Sequence, residues 1–244
     1  MRIEATAIVC ALRNHGEHSA IVRLMTRDHG LQAAYVRGAR GRTMRPVLIP
    51  GNIVEVRLRS RTDAQLAQAE IELSHSRAPL FSEPLPAAAI AWATALTATA
   101  LPESQPYPRI HEAFDALLAA IEAAPSASGW GAALVRYELL VLAELGFGLD
   151  LESCAAGGAN DDLVAVSPRS GRAVSAAEAE PYTGRLLKLP AFITSGGQGN
   201  WQDIADGLDL TGHFLRRDVL GERWDTLGQA RDRLVGQLRR AGGI

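Results

Sequence analysis

Among 25 basic residues the sequence has a single lysine, Lys188, and before Phe81 it has a single Phe, Tyr or Trp, Tyr35. It has two cysteines, Cys10 and Cys154, too far apart in sequence and setting to form a disulfide framework, which fits a reducing compartment. No apolar run reaches the roughly 18 to 20 residues of a membrane span. The longest, Ala87 to Leu101, is rich in alanine and threonine, lies between Pro86 and Pro102, and reads as a buried helix. The N-terminus carries Arg2 and Glu4 but neither the apolar stretch nor the cleavage site of a signal peptide, so a cytoplasmic location is expected.

Catalytic signatures are also missing. There is no nucleophile elbow and no H-E-x-x-H string, and no acid–base pair can be assembled. The glycines Gly196, Gly197 and Gly199 are followed by no P-loop lysine and read as a plain loop. His15, His18, His29, His75, His111 and His213 have no cysteine or carboxylate at ligand spacing, and His15 and His18 flank an exposed turn. No enzyme, metal or cofactor is expected.

The formal net charge of -2 conceals a split. Residues 1 to 78 carry twelve arginines against seven acids, a balance of +5, whereas residues 79 to 244 carry thirteen basic residues against twenty acids, a balance of -7. Such asymmetry suggests a polyanion-binding module joined to a module with another task. A GC-rich coding sequence would favour arginine over lysine without functional cause. Guanidinium groups nonetheless suit nucleic acid, because they pair with phosphates and lie flat on bases.

The basic part reads as strands. Residues 3 to 12 and 20 to 26 are rich in β-branched and small apolar residues around the break His15-Gly16-Glu17-His18. A third strand runs from Leu31 to Arg37, and a fourth from Asn52 to Arg59 after Pro50-Gly51. Residues 65 to 73 (QLAQAEIEL) fit a fifth strand or a short helix equally. Five short strands in about 75 residues suggest an OB-fold barrel. From Pro79 the texture becomes helical, giving an α+β chain: an N-terminal OB-fold β-barrel over 1–78 and an all-α domain over 79–244. Ile110, Phe114, Leu117, Leu118 and Ile121 form one helical stripe, and Leu134 to Leu145, apolar nearly all round, reads as a central helix. A loop-rich stretch at about 149–190 precedes two last helices, roughly Asp203 to Leu220 and Leu227 to Arg240.

The candidate DNA-contacting residues are the barrel arginines Arg23, Arg27, Arg37, Arg40, Arg42, Arg45, Arg57 and Arg59, with Tyr35 for limited stacking. Arginine–phosphate pairing displaces condensed counterions, giving sequence-independent and salt-sensitive affinity. The competing account of each is a solvated surface charge. The loop from Arg37 to Arg45 is the sharpest candidate, since its arginines repel one another with no acid among them. With one Tyr and no Phe or Trp in the barrel, backbone electrostatics is expected to dominate over base stacking.

Several strings in this order resemble the RecO family of recombination mediators: HGEHSAIVRLMTRDHGL and VRGARGR in the barrel, LVRYELLVLAELGFGLDLESCA in the helical part, and TGHFLRRDVL with QARDRLV near the end. The resemblance implies a protein without chemistry of its own that binds and anneals single-stranded DNA. It also implies partnership with RecR and with the acidic tail of single-stranded DNA-binding protein, helping to load RecA. Arg136 matches the family position that meets the terminal carboxylate of that tail; its alternative is a helix arginine paired with Glu138, Glu144 or solvent. Many members carry C-x-x-C, a spacer and C-x-x-C for zinc. Here the pairs read Cys154-Ala155-Ala156-Gly157 and Ser175-Ala176-Ala177-Glu178, which do not supply four ligands, so no structural zinc is expected.

Overall fold

In a computed structural model, which describes residues 1–62, 65–124 and 126–244, the chain divides into two compact units, Met1–Glu122 and Ala123–Ile244. The first is built on five strands: β1 (Arg2–His15), β2 (Ser19–Thr26), β3 (Gly30–Val36), β4 (Ile53–Arg59) and β5 (Ala67–His75). They close in the order β1-β2-β3-β5-β4, the last pairing back to β1. That is the closed five-stranded barrel expected from the sequence.

Strict alternation drives the closure. In β4, Val54, Val56 and Leu58 are buried while Glu55, Arg57 and Arg59 face solvent. Val9, Val22, Leu24 and Val36 fill the interior from the other strands. The ambiguous QLAQAEIEL segment is a strand: Ala67, Ala69 and Ile71 turn inward, and β5 pairs with β4 at seven positions. β1 is long enough to serve two neighbours, pairing with β4 through Arg2–Ile8 and with β2 through Ala7–His15. A bulge at Cys10, between Val9 and Ala11, bends it from one partner toward the other.

Two helices complete this unit, α1 (Pro84–Ala100) and α2 (Pro108–Ala123). Between them the chain runs beside β3, where the Ser104 N–H donates to the Leu31 carbonyl at 2.9 Å. Gly30 sits at φ +67°, and a Cβ there would lie 1.9 Å from the Gln105 carbonyl oxygen. Arg77, just past β5, is buried; it donates to the Gly51 carbonyl at 2.7 Å and pairs with Glu122 at 3.2 Å.

The second unit centres on α3 (Gly131–Glu144), whose Leu134, Val135, Tyr137 and Leu142 are buried. The stretch expected to be loop-rich contains a small sheet of order β7-β6-β8, formed by β6 (Leu163–Val166), β7 (Ala173–Ser175) and β8 (Leu187–Lys188). Its strands are two to four residues long, too short for a sequence period to register. A short helix α4 (Ala176–Ala179) lies between β7 and β8, and another, α5 (Ala191–Ser195), follows β8.

The two long closing helices are α6 (Trp201–Phe214), extended by a π-helical turn over Leu215–Leu220, and α7 (Trp224–Gly242). Asn200 caps α6 through a reciprocal box with Asp203, at 2.9 and 3.0 Å. Within the core, Glu138 of α3 accepts two hydrogen bonds from Arg231 of α7, at 2.8 and 3.1 Å.

Candidate nucleic-acid interface

Strand register sorts the outward side chains of the barrel into rows that run across the strands. One row passes from Arg13 through Ile21, Tyr35, Gln68 and Arg59 to Arg2, each paired with the next. It holds no carboxylate. One step away the register aligns Glu4, Arg57 and Glu70, and the next aligns Thr6, Glu55 and Glu72. These residues line an open groove in which Arg57 is the basic side chain among four glutamates.

Coulomb repulsion makes the glutamate groove a poor place for phosphates, and the carboxylate-free row a good one. Arg59 and Arg2, at the far end of that row, lean toward the acids: Arg59 is 3.8 Å from Glu70 and Arg2 is 2.6 Å from Glu4. The β4–β5 connection borders the row with Arg61, Gln65 and Leu66 around Gln68.

The segment between β3 and β4 carries the densest arginines, and it is folded rather than extended. Gly38 turns the chain at φ +67°, the Arg45 N–H bonds to Gly41, and the Leu48 N–H bonds to Met44. Ala39 and Leu48 are buried against the barrel core, while Arg37, Arg40, Arg42 and Arg45 remain exposed. The expected exposed loop is thus a plug with an arginine surface. Arg40 joins it to the β1–β2 turn, donating its N–H to the His18 carbonyl at 3.2 Å and Nη1 to the Glu17 carbonyl at 3.1 Å. Arg40 and Arg45 flank a groove of about 410 Å³ with Leu12, Asn14 and Ala20.

Two of the arginines read from the sequence point elsewhere. Arg23 lies one row below Ile21, where it donates to the Ala98 carbonyl of α1 and pairs with Glu103 at 3.2 Å. Arg27 pairs with Glu112 of α2 at 2.7 Å. Both partners lie some 80 residues away, so no local pattern signals the pairing. Arg13 and Arg61, in turn, are basic residues at the row that the sequence reading passed over; alternation outward from Val22 and Leu58 identifies the faces.

Tyr35 keeps its place at the centre of the row. Its hydroxyl bonds to Ser19 at 2.8 Å, and the His15 ring meets it at a right angle, with centroids 5.8 Å apart.

In the second unit, Arg136 is exposed on α3 and does not pair with Glu138. Its Nη2 donates to the carbonyls of Phe192, at 2.9 Å, and Gly197, and its guanidinium lies 5.3 Å from the centre of the Phe192 ring. Arg136 therefore gathers α5 and the glycine loop while keeping other donors available.

Cys154 and Ser175 meet with Sγ and Oγ 3.5 Å apart, and the Ser175 N–H approaches Sγ at 3.4 Å. These hydrogen bonds lower the Cys154 thiol to about 7, outweighing a modest desolvation in its thin protein cover. Cys10, deep in the first unit, is pushed up to about 12 by burial. Among the described residues no group of three or more His, Cys, Asp or Glu is placed to hold a metal ion.

Comparison with known proteins accounts for both units. A family model described as "Recombination protein O N terminal" matches residues 1–77, and one described as "Recombination protein O C terminal" matches residues 83–226. The chain is 47 % identical over 245 residues to "DNA repair protein RecO" of Phenylobacterium zucineum (strain HLK1), covering 99 % of each protein. It is 44 % identical to the protein of that name from Rhodospirillum centenum (strain ATCC 51521 / SW), covering 96 % of this chain and 94 % of the relative.

The chain belongs to the RecO family.

The N-terminal RecO match ends at Arg77, the buried arginine just past β5, and the C-terminal match begins at Glu83, the residue preceding α1. The second match thus takes in α1 and α2, which by their contacts belong to the compact unit of the barrel. No described helix of this RecO chain is long and apolar enough to cross a membrane.

Proposed function

We propose that this RecO protein is a recombination mediator that binds single-stranded DNA on the barrel, anneals complementary strands, and helps load RecA on strands coated by single-stranded DNA-binding protein. The observation that carries the reading is the junction of the Arg37–Arg45 plug with the β1–β2 turn through Arg40, beside a row free of carboxylates. A negatively charged strand crossing there meets Arg13, Arg37, Arg40, Arg42 and Arg45 on a pre-ordered surface. Binding then loses little to side-chain and loop ordering. The barrel, residues 1–78, serves DNA, and residues 79–244 serve protein partners, RecR among them, in the cytoplasm at the nucleoid. No catalytic step is assigned to the chain.

In this reading the arginines are unequal. Arg37, Arg40, Arg42 and Arg45 dominate. Arg57 and Arg59 contribute less, because nearby glutamates offset their charge, and Arg23 and Arg27 contribute mainly through helix packing. The test is the triple reversal Arg40→Glu, Arg42→Glu and Arg45→Glu, followed by oligonucleotide affinity over a salt series. Each single-strand phosphate contact accounts for roughly 0.7 of the log–log salt slope, so losing three flattens it by about 2. Parental affinity at moderate salt would refute the assignment.

Arg136 is the proposed receptor for the terminal carboxylate of the acidic tail of single-stranded DNA-binding protein. Its charge beside the Phe192 ring suits a peptide that ends in phenylalanine. Binding of that peptide should fall on Arg136→Ala.

A second reading, a protein-interaction adaptor with incidental DNA affinity, draws support from the glutamate groove, a barrel face better suited to a basic protein than to DNA. Strand annealing separates the two, since an adaptor does not accelerate it.

A further inference from the structure

The DNA reading so far rests on charge, and the barrel has only one Tyr and no Phe or Trp with which to grip bases. The structure nevertheless brings a second flat ring to the carboxylate-free row. His15 is the last residue of β1 and is exposed, whereas Tyr35 is the penultimate residue of β3 and is half-buried. The hairpin register brings the two rings perpendicular, with 5.8 Å between centroids.

Tyr35 is held in place twice, by its 2.8 Å bond to Ser19 and by the edge-to-face contact itself. Ile21 stands between Arg13 and Tyr35 in the register, giving the corner an apolar floor. Arg13 lies on one side; Arg37, leaving β3 just after Val36, lies on the other. Two perpendicular rings on an apolar floor, between two cations, make a socket for a flat and weakly polar group whose neighbours along its chain are anionic.

We propose that the His15–Tyr35 corner is a nucleobase subsite: one unpaired base stacks there while its flanking phosphates lie toward Arg13 and Arg37. The inference rests on the DNA reading and adds a base-dependent component to it. A duplex keeps its bases stacked on each other, so the corner favours single strands without reading sequence, every base having a π-face. His15 acts here as a flat ring and not as a cation.

Affinities of the full chain for a thymidine oligonucleotide and for an abasic strand of equal length test the proposal, using the parent, His15→Ala, His15→Phe and His15→Lys. Losing one stacked base weakens binding roughly 5- to 150-fold. The expected result is a drop in that range for His15→Ala on the thymidine strand, with the salt slope unchanged and with no comparable drop on the abasic strand. His15→Phe restores affinity and His15→Lys does not.

Equal affinity of parent and His15→Ala for the thymidine strand overturns the proposal and leaves the DNA reading standing. So does an equal loss on both strands, or rescue by lysine rather than phenylalanine. If the parent binds neither strand, both the subsite and the DNA reading fall. His15 is exposed at the end of the hairpin, and a thermal melt coincident with the parent's confirms that each variant is folded.

Discussion

The most exacting expectation concerns the buried ion pair of the second unit. Glu138 is fully buried and Arg231 is 4 % exposed. Besides its two bonds to the carboxylate, Arg231 donates to the Leu208 carbonyl at 2.6 Å and to the Thr211 hydroxyl at 3.1 Å, while Thr211 donates to Glu138. The close packing of Gly212 on the guanidinium leaves no room to turn away, since a Cβ at Gly212 would lie 2.3 Å from Nη1. Glu138→Ala therefore strands a cation in a dry site. Breaking a buried pair on one side costs about 3–5 kcal/mol. At roughly 2–4 °C per kcal/mol for a chain of this size, the transition of the second unit should fall by about 6–20 °C.

Arg231→Met should do similar harm by stranding the carboxylate. The double replacement Glu138→Met with Arg231→Met removes both charges and should recover to within about 2 kcal/mol of the parent, because two desolvation penalties disappear with the attraction. Scanning calorimetry of the four proteins gives the coupling directly. A Glu138→Ala melt within about 2 °C of the parent, or a double variant no better than either single one, would refute the reasoning.

Gly30→Ala should destabilise the first unit by about 3 kcal/mol or more, since it combines a left-handed backbone with a clash against the Gln105 carbonyl; denaturant midpoints check it. In the folded protein, alkylation of Cys154 should rise with pH about a midpoint near 7 while Cys10 stays unreactive, and Ser175→Ala should move that midpoint upward. The sign follows from the lowered thiol: its hydrogen bonds favour the thiolate, so their contribution to stability is present above the ordinary thiol range and is lost as pH falls through about 7. Elemental analysis of the purified chain should find no bound zinc, and one tightly held zinc per chain would contradict the account of the Cys154–Ser175 contact.

Much of the barrel was legible because its strands are half-buried. From Val54 to Arg59 the apolar and charged residues alternate without interruption, and the structure follows them residue by residue. QLAQAEIEL was not decidable, because alanines and glutamates at that spacing suit a strand or a helix until a partner is specified, and β4 supplies it. The sheet in the second unit escaped notice because LVAV and AVS are no longer than ordinary loop fragments.

The candidate interface was legible in composition and not in arrangement. Arginine density marked residues 37 to 45 at once. Which arginines share a face depends on cross-strand register, and Arg23 and Arg27 were diverted by glutamates from distant helices. Glu138 and Arg136, two residues apart on α3, found separate partners for the same reason: Arg231 is 93 residues from Glu138, and Phe192 is 56 residues from Arg136.

The seams of the barrel differ in strength. β1–β2 is paired at eight positions and β1–β4, β2–β3 and β4–β5 at seven each, whereas β3 and β5 meet in parallel at only two, Ala34 with Ala67 and Tyr35 with Gln68. Local opening follows the fewest hydrogen bonds, so amide exchange should be fastest along this line. The weak seam passes through the middle of the carboxylate-free row. On the proposed DNA reading, opening between Tyr35 and Gln68 would widen that surface at a place apart from the Arg40 contact with the β1–β2 turn, so the barrel would adjust its width to a bound strand while its cationic rim stays in place.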